Sequence, residues 1–238
     1  MRAPVKPFAD QKLDLPPHAP VMVLPGAHLF PNALLPLYIF EPRYRQMLTD
    51  VEADRKFFGV LRFESDNPQD VRPSTGVVGC LAELRETHPL PDGASNILTI
   101  GIVRFRLLEY VDASEPYLVG EIDFFEDEKE DSEELAALAA EVHELFERVA
   151  RAAFQLSGSR GRFPEIPKTD PEQLSFLIAT AFNLDNEMKY DLLAMDSTTD
   201  RLNKLREILL HTVNKMEDSA QIHKVAQSNG HSDKKIDL

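Results

Sequence analysis

His143-Glu144-Leu145-Phe146-Glu147 sets an imidazole and two carboxylates within one helical turn, and opens like the H-E-x-x-H face with which a helix grips zinc. It ends in Glu147 where a second imidazole is needed, so it reads as a helix surface rather than a metal centre. Lys168-Thr169 ends like a phosphate-cradling loop, but Pro167 removes the amide and the flexibility such a loop requires. Ser159 has Ser157 two residues before it instead of the glycine of a nucleophile elbow. Cys80, between Gly79 and Leu81 in a strand-like run, reads as a small buried hydrophobe rather than a nucleophile. His18, His28, His88, His211, His223 and His231 show no ligand spacing, and His28 sits among apolar residues as a structural histidine would. These residues supply no catalytic set, no metal site and no cofactor site, so the expectation is a protein that is not an enzyme.

Composition narrows the class further. The chain has 238 residues, 43% hydrophobic and 28% charged, as in globular proteins, with a net charge of −14. That charge repels phosphate backbones and anionic lipid, which makes nucleic acid an unfavoured partner. One cysteine excludes an intrachain disulfide, and the first twenty residues hold no apolar signal core, so the expected location is the cytoplasm. The longest apolar stretch, Ala33 to Phe40, is interrupted by Pro36 and falls far short of the roughly 20 residues of a spanning helix; no membrane association is expected.

The elements divide near Gly120. Twenty-one of the 27 prolines and glycines precede residue 121, so strands and turns are expected first and helices after. Val21 to Leu24, Phe57 to Phe63, Gly76 to Glu86, Asn96 to Val111 and Tyr117 to Phe125 read as strands, with a hairpin at Pro91-Asp92-Gly93. Glu41-Pro42 opens the one helix of this half, with Tyr44, Met47, Leu48 and Val51 on one face. Beyond the boundary, Asp131 and Glu134 have capping-box spacing, and Leu135, Leu138, Val142, Leu145, Val149 and Ala152 form a helical seam. Further helices are expected from Asp170-Pro171 to about Phe182, from Asn186 to Met195, and from Thr199 onward with Leu202, Leu205, Leu209, Thr212 or Val213, and Met216 inward. The resulting division is an N-terminal extension over 1–19, a β-rich lobe over 20–125, a helical lobe over 126–226 and a disordered tail over 227–238.

One block is more specific than the rest. Leu24-Pro25-Gly26-Ala27-His28-Leu29-Phe30-Pro31, followed by Pro36-Leu37-Tyr38-Ile39-Phe40-Glu41-Pro42-Arg43-Tyr44-Arg45, resembles the opening of the Lon protease N-terminal, substrate-binding domain family. The likeness continues through Gly76 to Cys80, Gly101 to Glu109 and Pro116 to Glu121, and covers roughly residues 20 to 217. It implies an α+β fold, a PUA-like β pseudo-barrel followed by an α-helical bundle. The family's proteases append an ATPase and a peptidase that this sequence does not reach, so the resemblance implies a stand-alone relative of the substrate-binding domain.

Two functions compete on that basis. The first is a non-catalytic polypeptide-binding module, a proteolysis-associated adaptor that takes up unfolded or exposed apolar polypeptide segments and acts with a separate ATP-dependent protease. Its expected site is a groove between barrel and bundle, with Tyr38, Tyr44, Tyr117 and Phe163 as candidate peptide-binding rings that tolerate partial exposure. Within the family block, Phe30, Leu34, Leu37, Ile39 and Phe40 read as core. Pro31, Glu41, Pro42 and Arg43 read as a structural motif, with Glu41 and Arg43 pairing or capping at the strand-to-helix corner. The alternative is an RNA-binding PUA-like protein using the local basic concentration of Arg148, Arg151, Arg160, Arg162 and Lys168.

Overall fold

The computed structural model describes residues 15–63, 72–130, 132–157 and 161–229, in the order β1 (His18–Pro25), β2 (Leu34–Ile39), α1 (Pro42–Ala53), β3 (Phe57–Phe63), β4 (Val78–Pro89), β5 (Ser95–Val111), β6 (Leu118–Phe125), α2 (Glu133–Leu156), α3 (Pro171–Ala181), α4 (Asn186–Ala194) and α5 (Thr198–Asn229). The fold is α+β. β1 runs parallel to β3 and antiparallel to β6; β3 pairs with β4, β4 with β5 and β5 with β6. These five strands therefore close on themselves as a barrel. β5 is 17 residues long: its second half meets β6, and its first half carries β2 on that same side. β2 is thus an appendage to the barrel, held by one neighbour among the described residues.

Closure and packing follow from side-chain size. Val21, Leu61, Leu81, Phe105, Leu107 and Ile122 fill the barrel interior. Gly79 is required there, because a Cβ at that position would stand 2.5 Å from Val60 O and 2.8 Å from the Phe105 ring. Outside the barrel, α1 lays Tyr44, Met47, Leu48 and Val51 over Met22, Phe58, Val60 and Ile97. Pro42 occupies the first turn of α1, as proline's missing amide predicts. The hairpin between β4 and β5 closes with Gly93 at φ +80° and Asp92 accepting from Ala94 N at 3.0 Å.

The helical seam is equally regular: Leu135, Val142, Leu145 and Val149 of α2 are buried against Leu202, Leu205, Leu209 and Val213 of α5. Asp170 caps α3 by accepting from Gln173 N at 2.9 Å, and Asp185 caps α4 through Met188 N at 2.7 Å. The capping box expected at Asp131 lies outside the described residues; at α2 it is Ser132 Oγ that accepts, from Leu135 N at 3.0 Å. β1 starts at His18, inside the expected extension. α5 continues through Asn229, so the expected tail begins inside a helix, and 230–238 lie outside the described residues.

The bundle core reaches into the β-rich lobe through Phe30 and Val78. Phe30 leaves the β1–β2 loop and buries its ring against Phe176 of α3, with centroids 6.1 Å apart. That loop is pinned to the barrel by Asn32 N donating to Gly101 O and Gly101 N donating to Ala33 O, at 2.8 and 2.9 Å. A Cβ on residue 101 would lie 2.2 Å from Phe30 O, so only glycine permits the approach.

Candidate functional site

The four rings expected to share a groove do not meet. Tyr44 is 5% exposed, and its hydroxyl both accepts from Val23 N at 3.1 Å and donates to Val23 O at 3.3 Å. Tyr117 is buried as well and donates to Asp50 Oδ2 at 2.9 Å. In both, burial pushes the phenol upward, in Tyr117 with further help from Asp50. A satisfied hydroxyl is what lets a tyrosine serve as core, and these two belong to the barrel–α1 core rather than to a contact surface. Phe163 is half-buried, edge-on to Phe154 at 5.7 Å and beneath the Arg151 guanidinium at 4.9 Å. Of the four, Tyr38 alone is exposed.

Around Tyr38 the apolar surface is larger than expected. Leu34, Tyr38 and Phe40 are 60%, 52% and 55% exposed, which corrects the expectation that Leu34 and Phe40 are core. The cause is the pleat of an edge strand: successive side chains alternate, so Ile39 is buried and Leu35 and Leu37 partly so, while Leu34, Pro36, Tyr38 and Phe40 face solvent together. The Tyr38 and Phe40 rings stack with centroids 5.6 Å apart. Leu98 and Ile100, paired with Pro36 and Leu34 on β5, extend the surface inward, since directly opposed residues share a sheet face. Glu83 and Glu86 of β4 border it. At its far end Glu41 and Arg43 form an ion pair at 2.8 Å, and Glu41 makes no side-chain cap to α1. Pro31 stands just before Asn32, whose φ of 63° turns the chain into β2.

The junction between the lobes combines apolar packing, Phe30 on Phe176, with buried charge. Where the chain passes from β6 into α2, a groove of about 500 Å³ is lined by the carboxylates of Glu126, Glu128, Glu130 and Glu172 together with Lys129, Leu135, Ala136 and Pro171. Beneath it Asp127 joins Arg104 of β5 to Arg201 of α5, both arginines being fully buried. Arg104 reaches Asp127 Oδ1 at 2.5 Å and Leu193 O at 3.1 Å; Arg201 reaches Ser175 Oγ at 2.7 Å and Met195 O at 2.9 Å. Phe176 stacks under both guanidinium groups, at 5.2 and 4.1 Å. Burial alone would raise the Asp127 carboxyl, but hydrogen bonds and charge from Arg201, with Thr198 and Arg104, hold it below the usual carboxylate range. Reading along the sequence missed this trio, because Asp127 lies within an acidic run that reads as a helix start. The available signal was an arginine at two inward positions, Arg104 within a strand and Arg201 beside Leu202.

Burial pushes the Cys80 thiol up to about 12, far from thiolate character. Among the described residues, no three His, Cys, Asp or Glu side chains are placed to hold a metal ion. In the basic concentration, Arg151 pairs with Glu147 and covers Phe163, and Arg160 lies outside the described residues. Among the described residues no helix is long and apolar enough to cross a membrane.

Comparison with known proteins agrees with this architecture. The family model of the ATP-dependent protease La (LON) substrate-binding domain matches residues 18–211. Lon protease 1 of Herpetosiphon aurantiacus is 25% identical over 227 residues, a span covering 92% of this chain and 27% of that protein. The chain therefore spans about a quarter of the length of such relatives. Among solved structures, the N-terminal domain of the Mycobacterium avium complex Lon protease superposes with a TM-score of 0.61 at 21% identity, covering 81% of this chain and 97% of that one. A Lon N-terminal domain protein from Xanthomonas campestris gives 0.57 at 22% identity, covering 79% and 96%.

Proposed function

Because the chain belongs to the ATP-dependent protease La (LON) substrate-binding domain family, we propose that it binds exposed apolar segments of unfolded polypeptides on the outward face of β2. It does so without cleaving them, as a cytoplasmic adaptor that serves a separate ATP-dependent protease. The observation that carries this reading is the row of Leu34, Pro36, Tyr38 and Phe40 standing in solvent on a strand held from one side only. Side chains of this size are ordinarily buried, and a contiguous exposed group of them marks a surface that another molecule covers. Fully burying a large apolar side chain contributes at most about 1.5–3 kcal/mol, so the row supports weak binding that strengthens as more of its side chains are engaged together. Apolar contact without a polar code accepts many sequences, which suits a receptor for unfolded chains.

Fluorescence anisotropy of a labelled, permanently unfolded polypeptide tests the reading. Saturable binding at tens of micromolar is expected. Tyr38→Ser with Phe40→Ser weakens it about tenfold or more, whereas Leu210→Ser, which removes an exposed apolar side chain of α5, leaves it unchanged. Equal affinity for all three proteins would reject the β2 face as the site.

A further inference from the structure

The open side of β2 has a backbone as well as a face. Leu34 pairs with Ile100, Pro36 with Leu98 and Tyr38 with Asn96, while the bond from Gly101 N to Ala33 O marks the odd-numbered residues as those bonded to β5. Antiparallel alternation then turns the backbone groups of Leu34, Pro36 and Tyr38 away from β5. In the order of the sheet β2 is terminal, and among the described residues no second strand meets that side. A terminal strand with unpaired amides and large apolar side chains is a template for another strand, including β2 of a second copy of this chain. At the centre of this template stands the one residue type that has no N–H to donate. Proline there costs the fold no ladder bond, since its nitrogen points away from β5. Its effect falls on whatever approaches from outside.

We infer that Pro36 is a specificity-determining residue: it bars strand addition to β2, so that a second copy of this chain cannot pair there and an incoming polypeptide is held by its side chains alone. The statement about incoming polypeptides rests on the function proposed above; the statement about self-pairing does not. The surface is thereby left apolar without becoming a seed for association.

The test restores the amide. Pro36→Val and Pro36→Ala both supply an N–H at an exposed position whose nitrogen the fold does not use, so both variants fold and are checked by circular dichroism. Sedimentation velocity over a rising protein concentration, with no polypeptide ligand present, is expected to show a monomer for the unaltered protein. Both variants self-associate at a concentration at least tenfold lower, and adding Tyr38→Glu reverses this. Folded variants that stay as monomeric as the parent overturn the inference. So does a parent protein that itself dimerises and is returned to monomer by Tyr38→Glu. Because these readings involve no ligand, they stand apart from the anisotropy experiment, and either can fail without the other.

Discussion

Residue identity matters here chiefly through which side of an element a group occupies. Tyr38 and Tyr44 are six positions apart and chemically the same, yet one is half in solvent and the other holds both backbone groups of Val23. From the sequence both were amphipathic rings in an apolar block. The missing information was the pleat, since Leu35, Leu37 and Ile39 are as apolar as Leu34, Tyr38 and Phe40, and a strand apolar on both faces shows no alternation. His28 reads from the sequence as a satisfied structural histidine, and the structure does not supply the partners that would satisfy it. Both ring nitrogens are buried without a hydrogen-bond partner; burial first, then Arg62 and Lys189, lower its pKa to about 4 from 6.5, with Glu187 opposing. A folded pKa below the unfolded one means that the unfolded chain binds the proton first. Stability is therefore lost as pH falls from 6.5 towards 4. In thermal melts, His28→Leu is expected to flatten the dependence of Tm on pH across that interval, and an unchanged slope would acquit the residue.

Elements were the most legible level. The seam of α2, the aspartate caps of α3 and α4 and the proline start of α1 rest on local rules that tertiary contacts did not override. What local rules could not place was the exit from α1. Lys56 adopts φ 64°, donates to Val51 O at 3.0 Å and accepts from Leu84 N at 2.8 Å, which steers the chain into β3. The left-handed region disfavours any side chain with a Cβ. Lys56→Gly is accordingly expected to stabilise the protein by roughly 0.5–1 kcal/mol, after the greater freedom of glycine in the unfolded chain is deducted. Chemical denaturation would read this as a higher midpoint at unchanged slope; a lower midpoint would show that the lysine side chain contributes more than its backbone strain costs.

For the molecule as a whole, the decisive contacts join residues far apart in the chain. Arg104, Asp127 and Arg201 tie a barrel strand to the last helix through one carboxylate, and no local pattern announces such a meeting. Removing one partner of a buried charge cluster leaves the others uncompensated, so Asp127→Asn is expected to cost about 3–5 kcal/mol. Barrel and bundle should then melt in separate steps where the parent shows one, as calorimetry would detect; a single undiminished transition would mean that Phe30 and its apolar neighbours hold the lobes together unaided. Because the Asp127 carboxyl is held low in the folded state, its contribution is intact above the ordinary carboxylate range and is lost as pH falls through its folded pKa.

The short stretch from Phe30 to Phe40 bears on mechanics as well as recognition. One end is wedged against Phe176 inside the bundle, and the other displays Tyr38 and Phe40 to solvent, with the ladder to β5 between them. Under the function proposed above, tension on a polypeptide held at the exposed rings would travel along β2 towards packed side chains of both lobes. A polypeptide held there as proposed would slip from the exposed rings before the anchored strand deformed.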